Sequence, residues 1–360
     1  MYSSSKYIII LIICIKLWSF CIKYRLKLSP ERGLFFPTFN SKISSNELRV
    51  LTYNVYLRPP LISHKHGDYK NKRCSILSKL LHSFDIIFLQ EVHTCFNFRC
   101  SDIIREAIYQ GLPYHVCTYG PSVLSRQVSN NGLLILSRYP IIEKGSLSYN
   151  ESATYDSVIE KGAIYAKIMI QPNIFIYVIN THLQSSYLRT DINAMKIREK
   201  QLIQLESWIS EKKMDNLICG GDFNIDSHSS ELHILQKYMN NMNDSICGSI
   251  NNDFTIEVPY NLDNKEETSI CTVCHKCNHN IKPNITLNKQ RVDYLFYSPS
   301  FQVLDRRILP MNISNPEFPF TRLSDHKAVY THFIIKINDR KEKTDYKAIT
   351  KPVDLHLRNK

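Results

Sequence analysis

Apolar runs of strand length, broken by a few stretches of helical spacing, make up most of the chain. Arg49–Tyr56 is rich in β-branched and aromatic residues and predicts a strand. Asp85–Val92 is a second strand, in which Ile86-Ile87-Phe88-Leu89 closes on the polar pair Gln90-Glu91. Between them, Ile76, Leu80 and Leu81 keep helical spacing and predict a helix over Lys72–Ser83. A short helix over Asp102–Gln110 stops at Gly111-Leu112-Pro113. Strands then crowd together over Tyr114–Tyr119, Gly132–Ser137, Ile141–Ser148, Gly162–Ile170 and Ile174–Leu183. A long amphipathic helix over Asp191–Lys213 turns Ala194, Ile197, Leu205, Trp208 and Ile209 towards a core. Leu217-Ile218-Cys219 is a buried strand that runs into Gly220-Gly221-Asp222. After a helix near Ser230–Met239 and an irregular insert come strands over Arg291–Tyr297, Phe301–Leu309 and Ala328–Ile335. Strands in runs with few helices predict an α+β protein of two packed sheets with helices outside. Strand ends in such a sandwich gather polar residues at one rim.

The two ends of the chain differ from this body. Tyr7–Ile22 is apolar apart from Lys16 and reads as a signal peptide's apolar region or a short anchor. No small-x-small cleavage site stands near Ser19-Phe20-Cys21, which favours a retained anchor. Membrane association through this segment is the expected localisation. Basic residues after it favour a cytosolic body, secretory entry a lumenal one. The sequons at Asn150, Asn243, Asn284 and Asn312 matter only in a lumenal chain. The expected organisation is a segment over 1–27, a linker over 28–46, a folded body over 47–337 and a basic tail over 338–360.

The 360 residues allow a sizeable core, and 43% hydrophobic content is ordinary for a globular protein. A formal net charge of +12 favours anionic partners: nucleic acid, an acidic membrane surface or a phosphate ester. No block of like charge is long enough to form a nucleic-acid arm. The 11 cysteines are too scattered to force a disulfide framework. Cys271-Thr272-Val273-Cys274-His275-Lys276-Cys277-Asn278-His279 has spacing that zinc, a local disulfide or plain surface thiols would each explain.

Groups suited to a hard cation and a phosphate recur at the strand ends: Asn54, Glu91, His182, Asp222 with Asn224, and Asp293. If the extended chain continues past Gly221, Asp222 and Asn224 face the same side. Ser324-Asp325-His326 stands just before the last strand, and a histidine beside such a site moves protons near neutral pH. The ordered set Asn54, Gln90-Glu91, Thr181-His182, Gly221-Asp222-Phe223-Asn224, Asp293 and Ser324-Asp325-His326 resembles the endonuclease/exonuclease/phosphatase superfamily, over residues 48 to 335. Leu51–Tyr56, Lys161–Ile168, Asn180–Gln184 and Arg198–Leu202 make the chain most similar to neutral sphingomyelinases, with Lys161-Gly162 and Arg198…Gln201 as markers of that subfamily.

The resemblance implies a four-layer α/β-sandwich and a metal-dependent phosphodiesterase releasing ceramide and phosphocholine from sphingomyelin, and acting on choline lysophospholipids. Glu91, Asn54 and Asp325 would hold Mg²⁺, with Mn²⁺ as a substitute. His326 would take a proton from water with Asp293 orienting it, Asp222 and Asn224 would position water and phosphate, and His182 would donate to a non-bridging oxygen. A rival assignment makes Asp222 the base. The implied partners are membrane sphingomyelin or a related choline phospholipid, and the membrane surface; neither nucleic acid nor a protein partner is expected. Phe318 and Phe320 stand where bacterial relatives carry an aromatic hairpin tip, and are expected to insert at the membrane. His93 departs from the pattern, since bacterial relatives usually carry Phe there. A nuclease of the same fold and a non-catalytic lipid-binding relative are the alternative functions.

Overall fold

The structure is a computed structural model. It describes residues 46–59, 68–94, 96–118, 130–152, 159–186, 191–247, 253–261, 266–267, 285–315 and 317–336, with Cys14 and Leu17. The expected anchor or signal segment, the basic tail and the Cys271–His279 cluster otherwise lie outside these residues, as does the linker up to Ser45. Among the described residues no helix is long and apolar enough to cross a membrane.

In chain order the strands are β1 (Glu47–Leu57), β2 (Ile86–Val92), β3 (Tyr114–Cys117), β4 (Leu134–Ser137), β5 (Ile141–Ser148), β6 (Gly162–Gln171), β7 (Ile174–His182), β8 (Leu217–Asp222) and β9 (Asn243–Asp244). Then follow β10 (Ile256–Asn261), β11 (Glu266–Glu267), β12 (Ile285–Gln290), β13 (Asp293–Tyr297), β14 (Phe301–Leu309) and β15 (Ala328–Ile335). The helices are α1 (Lys70–Ser78), α2 (Arg99–Tyr109), α3 (Ile192–Glu211) and α4 (Leu232–Tyr238). One sheet runs β14-β15-β1-β2-β4-β3 and the other β5-β6-β7-β8-β13-β9. β1 and β2 pair in parallel at the centre of the first sheet, β7 and β8 at the centre of the second.

Side-chain alternation separates the layers. On β1, Val50 packs between the sheets with Phe88, Val178 and Ile218. Leu51, Tyr53 and Val55 face the other way, against Cys74 and Leu77 of α1 and Ile103 and Ala107 of α2. Ile179 and Cys219 turn outward from the second sheet onto Leu202 and Leu205 of α3 and Leu235 of α4. The result is the four-layer sandwich: helices, sheet, sheet, helices. Asp191 caps α3, its carboxylate accepting from the Ala194 amide at 3.0 Å. The insert read as irregular instead contains a third, three-stranded sheet, β11-β10-β12, and the strand expected from Arg291 begins at Asp293.

Candidate active site

The strands that cross the middle of the sandwich become more polar towards one rim. Val50 and Thr52 precede Asn54 on the inward face of β1, and Val178 and Asn180 precede His182 on β7. In the polar layer, Gln90 Nε2 donates across the sheets to Asn180 Oδ1 at 2.7 Å and, within its own sheet, to Thr52 Oγ1 of β1 at 3.0 Å. Asn180 Nδ2 in turn donates to the Leu89 and Leu134 carbonyls. Above this layer lie the ionisable groups.

Local backbone geometry places two of them. Alternation alone would send Glu91 outward, because Gln90 faces in. Glu91 has φ 61°, a left-handed conformation, and its side chain reaches the rim, where Asn54 Nδ2 donates to its Oε1 at 3.1 Å. Gly132 packs against that turn; a Cβ there would lie 2.9 Å from the Val92 nitrogen. Gly221 has φ +145°, and a Cβ would stand 1.9 Å from the Thr181 carbonyl oxygen, so only glycine lets β8 run this close to β7 into Asp222.

Asp222 is the hub. Its Oδ2 accepts from Asn54 Nδ2 at 3.0 Å and lies 3.5 Å from His182 Nε2 and 3.8 Å from His326 Nε2. His326 Nδ1 donates to Asp293 Oδ2 at 2.8 Å. Lys161 Nζ, also buried, lies 3.3 Å from His182 Nε2. Burial and then the Asp293 charge push the Asp222 carboxyl up to about 7. Burial opposes a charge on His326, but Asp293 and Asp222 more than offset it and hold the imidazole well above its ordinary range. His182 moves well below that range, through burial and then Lys161. Burial, reinforced by Asp325, also raises the Glu91 carboxyl.

Asp222, Asp293 and His326 offer ligand atoms within 4.8 Å of one another and could hold a cation. The Nδ1 of His326 is engaged by Asp293, however, an arrangement in which a carboxylate can fix the imidazole tautomer and pass a proton instead of binding a cation. Among the described residues two carboxylate oxygens of the site, Glu91 Oε2 and Asp293 Oδ1, are buried without a hydrogen-bond partner; of the two, only Glu91 has its other oxygen free of an imidazole. A carboxylate oxygen held out of water without a donor fits a divalent cation.

The model of the "Endonuclease/Exonuclease/phosphatase family" matches residues 51–326. The chain belongs to that family. A Dictyostelium discoideum sphingomyelinase is 26% identical over 78% of this chain and 78% of its own length. A Bacillus cereus sphingomyelinase C is 25% identical over 52% of the chain, which spans 60% of that enzyme. The fold matches the Staphylococcus aureus beta toxin with a TM-score of 0.59 and 20% identity, covering 79% of this chain and 99% of that one. Danio rerio TDP2 complexed with a single-strand DNA product shares it at 0.54 and 17%, covering 80% of this chain and 98% of that one. Family membership and the relatives make the chain a phosphodiester hydrolase of this family's type.

The structure brings together Asn54, Glu91, His182, Asp222, Asp293 and His326 at one rim. Asp325 stands beside His326, its Oδ1 3.1 Å from Ser324 Oγ. Asn54 enters differently from the expected oxygen ligand: its Oδ1 accepts from the Tyr56 amide at 3.1 Å, and its NH₂ spans Glu91 and Asp222. The extended chain does not continue to Asn224. That residue is left-handed at φ 53°, its amide donates to Asp222 Oδ1 at 2.9 Å, and its Nδ2 donates to the Leu183 carbonyl. Membrane insertion by Phe320 is also corrected. Phe320 is fully buried beside Leu323, stacked on half-buried Phe318 with ring centroids 5.6 Å apart. Lys161 was legible only as a subfamily marker, and its burial against His182 places it in the site. Arg198, on a face that reads as solvated, is buried and ion-paired to Glu231 at 2.5 Å, bracing the chain after β7 through the Gln184 carbonyl.

Proposed function

We propose that the chain is a divalent-metal-dependent phosphodiesterase that hydrolyses sphingomyelin to ceramide and phosphocholine. The observation that carries the chemistry is the unpartnered, buried Glu91 Oε2 beside the Asp222–His326–Asp293 chain. The choice of lipid is supported by the sphingomyelinases among its relatives. Glu91 and Asp325 would hold Mg²⁺, or Mn²⁺ in its place, and Asn54 would fix Glu91. When bound, the cation supplies positive charge that offsets charge on the phosphoryl and leaving oxygens and lowers the proton affinity of neighbouring groups.

The residues of the chain then have distinct tasks. Asp222, its Oδ1 fixed by the Asn224 amide, holds the attacking water in line with phosphorus. His326 Nε2 faces Asp222 and accepts the water's proton. Asp293 keeps the other proton on Nδ1 and stabilises the imidazolium. Lys161 and His182 bring a fixed positive charge and a polar ring to the non-bridging oxygens. The new P–O bond forms as the bond to the ceramide oxygen breaks, and that oxygen takes a proton from solvent as ceramide leaves. The N-terminal apolar segment would keep the enzyme at its membrane substrate, with half-buried Phe318 at the interface.

Sphingomyelin vesicles and plasmid DNA, assayed side by side with Mg²⁺ and with a chelator, test this reading. Phosphocholine release that stops in chelator and returns with Mg²⁺ is expected. Nicking of the plasmid with intact lipid would move the chain to the nuclease side of the family.

A further inference from the structure

Arg73, in α1, is fully buried, and among the described residues every hydrogen bond its guanidinium makes goes to a main-chain carbonyl. Nε donates to Asp68 at 2.7 Å, Nη1 to Val55 at 3.0 Å and to Leu323 at 2.6 Å, and Nη2 to Tyr56 at 2.7 Å. Among the described residues no carboxylate forms an ion pair with it. A buried arginine used only for carbonyls calls for a reason, because its charge loses hydration without a counter-charge in contact.

The reason lies in how β1 ends. Its ladder with β15 stops at Thr52, and its register with β2 breaks between Asn54 and Leu57, where Tyr56 is left-handed at φ 51°. This irregularity lets Asn54 reach both Glu91 and Asp222, but it leaves successive carbonyls without ladder donors. Ser324 Oγ takes the Asn54 carbonyl at 2.6 Å, and Arg73 takes those of Val55 and Tyr56. The same Nη1 holds Leu323, the residue just before Ser324-Asp325-His326. One planar fork therefore joins the end of β1 to the segment that carries Asp325 and His326.

We propose that Arg73 is a positioning residue that sets the spacing between Asn54 and Glu91 on one side of the site and Asp325 and His326 on the other. This rests on the hydrolase reading above. Lysine keeps the charge but cannot reproduce the fork.

The test uses the full chain as Arg73→Lys and Arg73→Ala, with urea unfolding to establish the folded fraction. Hydrolysis of sphingomyelin vesicles and of bis(p-nitrophenyl) phosphate gives kcat and KM, and calorimetric titration with Mg²⁺ gives cation affinity. In folded Arg73→Lys, kcat falls about 100-fold with KM unchanged, as for a small misplacement of reacting groups. Mg²⁺ binding weakens about 10-fold, the scale of an outer-shell change. Added guanidinium ion restores part of kcat to Arg73→Ala; if that variant does not fold, Arg73→Lys decides alone. Folded Arg73→Lys with wild-type Mg²⁺ affinity overturns the proposal. So does a loss confined to KM, or one that only tracks the unfolded fraction. Wild-type protein that cleaves neither substrate would overturn the hydrolase reading instead, while the calorimetric arm still judges Arg73.

Discussion

The two ends of the central strands do different work with the same backbone. Towards one end the inward positions are Val50, Phe88, Val178 and Ile218, packed between the sheets. Towards the other, the same strands deliver Asn54, Glu91, His182 and Asp222. The apolar end can hold the sheets together, so the ionisable end is free to be electrostatically unfavourable. The raised carboxyls of Glu91 and Asp222, the unpartnered oxygens of Glu91 and Asp293 and the left-handed Glu91 and Asn224 sit at the second end. Stability and chemistry are thus separated by a few residues along each strand, and mutations should separate them too.

The largest effect is expected at the polar end. Asp293→Asn leaves His326 without the carboxylate that fixes its tautomer, and kcat should fall by about 10³ to 10⁴. A urea midpoint close to wild type would confirm that the fold is untouched; a fall in both together would blur the division. At the apolar end, Phe88→Ala should lose about 3–5 kcal/mol of stability through lost burial and a residual cavity. Its turnover per folded molecule should match wild type, as active-site titration at low temperature would show.

A smaller effect has a pH signature. Because the folded-state pKa of Asp222 is raised from 3.8 to about 7, its contribution to stability is present below its unfolded pKa and lost as pH rises towards 7. Asp222→Asn removes that loss. In the absence of divalent ions the variant should gain about 1–3 kcal/mol over wild type at pH 8, and less at pH 4.5. An equal difference at both pH values would show that Asp222 is not held at a cost.

Much of this division is legible in the sequence. The strands Ile141–Ser148, Phe301–Leu309 and Ala328–Ile335 run as the apolar pattern predicts, since alternation and burial are local signals. The meeting of these residues at one rim was also legible, because strand ends converge there in this fold. The third sheet was not: β10 contains Pro259 and pairs with strands across a long polar insert, so no periodicity marks it. Arg73 and Arg198 look like surface charges in their helical stretches. Their partners include Leu323 and Glu231, and nothing local announces a contact across such a separation. Asn224 misled the strand alternation because β8 ends at Asp222 and the chain turns left-handed two residues later.

The Gln90–Asn180 pair has one more consequence. The two amide NH₂ groups and the Asn180 carboxamide oxygen find their partners at one alignment of the two sheets, whereas apolar side chains tolerate many. Sliding one sheet over the other by a residue would bury their donors and acceptors unpaired. The pair therefore works as a keyed joint, admitting one setting of the sandwich and rejecting near-miss packings during folding. Half of the rim comes from each sheet, so that key also decides that both halves arrive opposite one another.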